Sequence, residues 1–194
     1  MKKKEFVYRE ILYRVLERGE RVATQQELSK VLDISLSTVN HALKPLIRMG
    51  TVKVNPMNFR IIDAKKILLY WASIRNVPKD VIYSTRADGT VIEIEKNMPD
   101  DVVYGAYSAY KFNFEDVPAD YSEVYVYSAK KLEDRFPEKP GPANLFVLKK
   151  DPLMDEYGRV TTMAQTYVDL WNINTWYAGE FIKALEDRID AVLE

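Results

Sequence analysis

The clearest alternation of apolar and polar positions lies between Ser35 and Gly50. Apolar residues recur there at every third or fourth position, as on the buried stripe of a helix. The stripe consists of Leu36, Val39, Leu43, Leu46 and Ile47. The opposite face carries hydroxyls, an amide, an imidazole and cations, namely Ser37, Thr38, Asn40, His41, Lys44 and Arg48. Taken alone, the stripe favours an ordinary amphipathic helix with a solvated polar face. The neighbouring segments therefore decide whether the polar face binds a ligand.

The segment before this helix predicts a second, shorter helix. Thr24 and Glu27 have the spacing of a capping box, and apolar residues continue to Leu32. The next residues leave room only for a tight turn, and Ser35 is suited to cap the following helix. Two short helices joined in this way predict a helix-turn-helix, in which the second helix reads DNA.

The segment after this helix predicts a β-hairpin. Gly50 lies where a helix cap is expected, and strand patterns at residues 51–54 and 59–62 flank a turn. Residues 4–18 predict an additional helix that ends at Gly19, with Phe6, Ile11 and Val15 inward. Its outward residues are predicted to be Arg9, Glu10, Arg14, Glu17 and Arg18. Together these elements predict a winged helix, in which Pro45 should kink or tighten the last turn of the reader helix.

The run from Ser35 to Val52 resembles the S-x-S-T-V-x-x-x-L-x-P-L-x-x-x-G-x-V pattern common in prokaryotic winged-helix regulators. Hydroxyls, amides and imidazoles read base edges, whereas cations hold phosphates. We therefore expect contacts near base edges from Ser37, Thr38, Asn40, His41 and Lys44. Contacts closer to phosphates are expected from Ser35, Arg48, Lys53 and Arg60.

The rest of the chain predicts a linking helix and a mixed second domain. Asp63 is placed to cap a helix over residues 64–75, and residues 76–80 break it. The predicted domains are therefore a winged helix at residues 1–62, a linker helix at 63–79 and a C-terminal domain at 80–194. In that domain, strands are expected at 81–86, 90–95, 122–128, 144–149 and 160–162, a strand leading into a short helix at 102–110, and helices at 129–136, 163–171 and 178–193. This order predicts an α+β protein, with the winged helix followed by a mixed α/β domain.

Short motifs in the second half resemble the C-terminal domain of AbiEi-like antitoxins, the transcriptional regulators of AbiE type IV toxin-antitoxin systems. In order, they are residues 125–127 (Tyr-Val-Tyr), 141–145 (Gly-Pro-Ala-Asn-Leu), 151–152 (Asp-Pro) and 165–170 (Gln-Thr-Tyr-Val-Asp-Leu). The resemblance implies promoter binding and autorepression by the first half. It also implies that the second half contacts another protein, such as a toxin. After the Asp-Leu of the last motif, the antitoxins usually continue with a Gly-Gly-Arg turn. This chain has the segment from Trp171 to Tyr177 there.

Charge is divided unequally along the chain. Residues 1–62 hold 12 Lys and Arg against 6 Asp and Glu, and the remainder holds 16 against 23. A basic first half with an acidic second half is expected when only the first half meets double-stranded DNA. Such sites are commonly two-fold, so we expect a homodimer. The chain has no cysteine and no apolar run long enough to span a membrane, which favours a cytoplasmic protein without membrane contact.

Enzyme chemistry has little support in the sequence. His41 is the only histidine, and no glycine-rich phosphate loop is present, so we expect no enzyme, no cofactor and no metal site. The weighed exception is a metal-dependent nuclease using Glu93 and Glu95, which would share a face of a strand. Six tyrosines could line a ligand-sensing pocket, but we favour a half-buried sheet with hydroxyls reaching water: Tyr104, Tyr107, Tyr110, Tyr121, Tyr125 and Tyr127.

Overall fold

The computed structural model describes residues 1–194, which divide into two compact units. The first unit comprises Met1–Arg75 and Arg188–Glu194, and the second comprises Asn76–Asp187. The helix predicted as a linker therefore belongs to the first unit. Its N-cap is Asp63, whose side chain accepts a hydrogen bond from the backbone N–H of Lys66.

The first unit has the elements of a winged helix in the predicted order. They are α1 (Lys3–Arg18), β1 (Val22–Ala23), α2 (Gln25–Val31), α3 (Leu36–Arg48), β2 (Val52–Val54), β3 (Phe59–Ile61) and α4 (Ala64–Ile74). The strands form an antiparallel sheet in the order β1-β3-β2. The strand β1 was not predicted, because two residues carry no periodicity and only their pairing with β3 makes them a strand.

The outward side predicted for α1 is wrong at three positions. Arg9, Glu10 and Arg14 are buried, although the sequence pattern placed them in solvent. Arg14 donates to the Glu10 carboxylate at 2.6 Å, and its other nitrogen reaches Glu27 of α2 at 2.5 Å. These residues are buried because α1 packs against both α3 and α4. The Arg14 charge is tolerated there because it is paired with Glu10 of the same helix and with Glu27 of α2.

The apolar stripe of α3 is narrower than its periodicity suggested. Val39, Leu43 and Leu46 are fully buried, whereas Leu36 and Ile47 are 47% and 41% exposed. The helix continues through Pro45 and ends at Arg48. Gly50 then adopts a φ of +71°, so that it donates to the Ile47 carbonyl and Thr51 donates to the Leu46 carbonyl, each at 3.0 Å. This pair of bonds is a Schellman cap, and it directs the chain into the wing.

The second unit is built on one mixed sheet. Its elements are β4 (Val81–Thr85), α5 (Val91–Lys96), β5 (Val103–Gly105), α6 (Ala106–Phe114), β6 (Val124–Ser128), β7 (Leu145–Lys149) and α7 (Met163–Trp171), and α8 (Ala178–Leu193) begins there and ends in the first unit. The strand order is β4-β7-β6-β5, with β6 and β7 parallel and the outer pairs antiparallel.

The two faces of this sheet carry different side chains, as the alternation of valines and tyrosines in β6 predicted. Val124 and Val126 pack with Leu145 and Val147 in one apolar cluster. Tyr125 contacts the Tyr107 ring of α6, and Tyr127 donates to Asp169 of α7 at 2.6 Å. The sheet therefore separates a mainly aliphatic layer, which also includes Tyr104 and Phe136, from an aromatic layer around Tyr125 and Tyr127.

Three local predictions in the second unit are wrong. Residues 91–96 form the helix α5 and not a strand, because Thr90 and Glu93 make a capping box that starts a helix despite the β-branched residues. No helix forms over residues 129–136, although Phe136 is buried in the apolar cluster. The strand expected at 160–162 is reduced to a single bridge between Val160 and Tyr104. None of the helices is long and apolar enough to cross a membrane.

Candidate nucleic-acid interface

The reader helix α3 is held at both its start and its middle. The Ser35 hydroxyl accepts from the backbone N–H of Thr38 at 3.1 Å, which caps the helix. The Tyr8 hydroxyl of α1 donates to the Ala42 carbonyl at 3.1 Å, inside the core. Burial raises the pKa of Tyr8 well above its ordinary value, so this hydroxyl keeps its proton and the bond persists. These contacts fix the orientation of the polar face.

The polar face of α3 is open to solvent at nearly every predicted position. The exposed residues are Ser35, Ser37, Asn40, His41, Lys44 and Arg48. Thr38 differs, because it is half-buried and its hydroxyl lies 2.9 Å from that of Ser35. The hydroxyls of Ser35 and Thr38 thus serve the helix cap. The other residues are exposed to a ligand, although the Asn40 amide also donates to Gln25.

The wing brings two of the predicted phosphate contacts together. Lys53 of β2 and Arg60 of β3 are cross-strand partners, and both are exposed. Side chains of directly opposed residues lie on the same face of a sheet, so the two cations form one pair. The buried neighbours Phe59 and Ile61 hold the other face against the core.

The exposed cations of this surface are not neutralised by the protein. No salt bridge engages Lys44, Arg48, Lys53 or Arg60. The buried arginine Arg14, in contrast, is paired with two carboxylates. Positive charge without an internal partner is what a polyanion requires from a binding surface.

A cleft of about 620 Å³ lies between the wing and the start of α2, with Leu36 as the residue of the reader helix that lines it. Its polar lining comes from Thr24, Gln25 and Gln26 at the start of α2 and from Asn55 and Asn58 in the wing turn. Sequence reasoning missed Gln25, which lies 3.4 Å from the Asn40 amide as its hydrogen-bond acceptor. The sequence did contain a signal for Gln25, because this residue directly follows the Thr24 cap. The first residues of a capped helix expose backbone N–H groups, which can bind a ligand.

The units differ strongly in charge. The first unit holds 16 Lys and Arg against 9 Asp and Glu, a net charge of +7. The second holds 12 against 20, a net charge of −8. The predicted DNA-contact residues all belong to the basic unit.

The fold and this surface define the first unit as a winged helix-turn-helix DNA-binding domain. Residues 9–53 match the family model described as winged helix-turn-helix DNA-binding. The match covers most of α1, the helix-turn-helix and the first two residues of β2. Comparison with curated proteins and with solved structures gave no match.

In the second unit, the residues proposed for a nuclease take part in local structure. Glu93 bonds to the backbone N–H of Thr90 in the capping box. The buried Glu95 carboxylate accepts from Lys111 at 2.5 Å and from the Tyr121 hydroxyl at 2.7 Å. No group of three or more His, Asp or Glu side chains is arranged to share a metal ion.

The tyrosines also differ from the expectation that their hydroxyls reach water. Tyr107, Tyr110 and Tyr127 are fully buried. The hydroxyl groups of Tyr104, Tyr107, Tyr121, Tyr125 and Tyr127 are hydrogen-bonded to other protein groups. These tyrosines therefore belong to a core with internal polar contacts, Tyr104 on the valine face of the sheet and Tyr107, Tyr125 and Tyr127 on the other. Tyr121 and Tyr125 also line cavities.

Proposed function

We propose that this protein is a transcriptional regulator that binds double-stranded DNA sequence-specifically through α3 and the wing. The observation that carries the proposal is the pairing of an exposed polar helix face with cations that have no internal partner. Asn40, His41 and Lys44 would lie near base edges, and Arg48, Lys53 and Arg60 would hold the backbone. The regulator would act in the cytoplasm as a homodimer on a two-fold site.

The direct test is binding of the purified protein to the DNA upstream of its own gene, with salt titration. We expect tight binding that weakens steeply with salt, and loss of binding in the double variant Lys44→Ala/Arg48→Ala. The matched control is Lys130→Ala/Lys183→Ala, which removes two exposed cations from the second unit. Equal loss in both double variants, or no binding at low salt, would overturn the proposal.

For the second unit we propose a protein-interaction role of the AbiEi antitoxin type, with repression as the output of the first unit. The support is the order of the short motifs at residues 125–127, 141–145, 151–152 and 165–170. The net charge of −8 also disfavours contact of this unit with DNA. Co-expression with the product of the adjacent gene tests the idea. A stable complex that survives purification at high salt is expected, and separate elution of the two proteins would refute it.

A second candidate role for this unit is sensing of a small molecule. The observation in its favour is a cavity against the aromatic layer that contains a carboxylate without a cationic partner. A regulator of this kind would also use the winged helix to bind DNA, so the two candidates differ only in what the second unit binds.

A further inference from the structure

A cavity of about 280 Å³ opens beside β6 and β7 in the second unit. Its walls are mainly apolar and aromatic, with Val77, Pro78, Tyr125, Phe146 and Ile173 among them. Cavities that hold small molecules are typically apolar with a few polar groups that set orientation. Here the charged group is the Glu123 carboxylate.

The aromatic wall consists of a stacked pair. The rings of Tyr125 and Phe146 are 4.7 Å apart between centroids and only 9° from parallel. They come from adjacent parallel strands, where these two residues are register partners. The negative face of an aromatic ring attracts a cation, and the attraction grows when water is excluded.

The charge of Glu123 is not compensated by the protein. One carboxylate oxygen accepts from the Tyr125 hydroxyl at 2.8 Å, and no lysine or arginine lines the cavity. Glu123 is half-buried, and this burial raises the pKa of its carboxyl above the ordinary value. A carboxylate held in partly desolvated surroundings without a cation is unfavourable until a cation arrives.

The outer wall is fixed in place before any ligand binds. It is formed by the segment from Asn172 to Thr175, between α7 and α8. The Asn172 amide donates to the Val168 carbonyl at 2.9 Å, and the Thr175 and Tyr107 hydroxyls lie 2.6 Å apart. A preformed wall lowers the entropic cost of binding.

We propose that this cavity binds a small alkylated ammonium compound, with its positive charge between Glu123 and the Tyr125–Phe146 pair. An alkylated ammonium suits the site because its methyl groups contact apolar walls while its charge faces the carboxylate and the rings. The inference deepens the sensing candidate for the second unit and does not depend on DNA binding, so either idea can fail alone.

A larger cavity of about 520 Å³ in the same unit is a less suitable cation site. Its carboxylates, Glu115, Asp116 and Asp120, are all exposed, so water screens them. Its lining contains a single ring, that of Tyr121, and the cation Lys111, which disfavours a second positive charge. This cavity therefore provides the internal comparison for the experiment.

The test is titration of the full chain with choline and with its neutral carbon isostere, dimethylbutanol. Isothermal calorimetry measures affinity, and the methyl resonance of Ile173 reports whether the ligand occupies this cavity. We expect saturable choline binding that shifts Ile173, and affinity for the isostere lower by about tenfold or more. No saturable binding at millimolar choline, or equal affinity for both compounds, would overturn the proposal.

Two isosteric variants locate the charge that matters. Glu123→Gln keeps an oxygen for the Tyr125 hydroxyl and should fold normally, but we expect its choline affinity to fall by about tenfold or more. Glu115→Gln alters the larger cavity and should leave the affinity unchanged. If Glu115→Gln lost choline binding and Glu123→Gln kept it, the cation would bind in the larger cavity, and the inference would be refuted. An unchanged affinity in both variants would refute it as well.

Discussion

The exposed side chains of α3 fall into two chemical kinds. Asn40 offers an amide that forms paired hydrogen bonds with a base edge, whereas Lys44 offers a charge that suits either a base or a phosphate. The structure leaves both exposed on the same helix. Their contributions should therefore differ in sequence dependence and in salt dependence.

We predict that Asn40→Ala costs about 1 to 3 kcal/mol of binding free energy at one base position and relaxes specificity there. The same loss is expected for His41→Ala at its own position. Lys44→Ala should instead weaken binding more evenly across sequences and reduce the salt slope by about one. Competition binding with operator variants at several salt concentrations measures both effects. An equal loss on all sequences for Asn40→Ala would contradict direct readout.

Glu123 provides a residue-scale prediction about stability. Its raised pKa means that the folded state holds the carboxyl proton more tightly than the unfolded chain does. Ionisation therefore costs stability, and this cost is absent below the ordinary pKa of 4.5 and fully present above the raised value. We predict that Glu123→Gln raises Tm at pH 7 by a few degrees and leaves Tm at pH 3.5 unchanged.

Thermal unfolding followed by circular dichroism at both pH values checks this prediction. The control is Glu133→Gln, which alters an exposed carboxylate and should change Tm at neither pH. A lower Tm for Glu123→Gln at pH 7 would mean that the carboxylate stabilises the fold. A gain in stability from removing this charge is expected of a site that is kept for binding.

Among the elements, α1 and α2 are joined by an ionic contact between the buried Arg14 and the exposed Glu27. Arg14 bonds to Glu10 within α1 and to Glu27 in α2. The hydrogen bond from Arg14 lowers the pKa of the Glu27 carboxyl. The Arg14–Glu27 bond therefore stabilises the fold above the ordinary pKa of a glutamate. This stabilisation is lost as pH falls through the lowered pKa of Glu27. The contact helps to set the position of the helix-turn-helix on α1.

We predict that Arg14→Met lowers the free energy of unfolding by about 3 kcal/mol at pH 7, because the buried Glu10 loses this charged partner. Urea unfolding measures the loss. Arg18→Met in the same helix is the control and should cost under about 0.5 kcal/mol, since Arg18 is exposed. The difference between the two variants should shrink as pH falls through the lowered pKa of Glu27, because the protonated carboxyl no longer attracts Arg14. Equal stability of the two variants at pH 7 would exclude a structural role for the contact.

At the scale of the whole molecule, the division of charge sets how the chain meets DNA. The first unit carries +7 and the second −8, so the net charge of −1 conceals a strongly basic domain. Salt dependence of binding should then reflect the first unit alone, with a slope of roughly 0.9 for each phosphate contacted.

The proposed dimer gives the whole-molecule prediction. We expect two chains per operator duplex, with half-sites about one helical turn apart, because a two-fold protein matches a two-fold site. Light scattering of the purified complex measures the stoichiometry, and footprinting measures the spacing. One chain per duplex at saturation would show that the protein reads DNA as a monomer.

The sequence by itself determined the elements whose signals are local. The helix-turn-helix, the wing turn and the strand β6 follow from periodicity and turn chemistry, which act between residues close in the chain. The polar face of α3 was predictable for the same reason, although Leu36 showed that periodicity cannot tell where a buried stripe ends. The residues 90–96 show competition between local signals, in which the Thr90–Glu93 cap prevailed over β-branched composition.

Only the tertiary structure decided features that depend on distant partners. Arg14 is buried because Glu27 meets it from another helix, and Lys53 faces Arg60 because the register of the hairpin aligns them. The cavity beside Tyr125 exists because β6, β7 and the segment after α7 pack around it. The periodicity of the sequence does not show which distant segments pack together. Local patterns determine which residues form each element, but packing determines which charges are compensated and which remain available for binding.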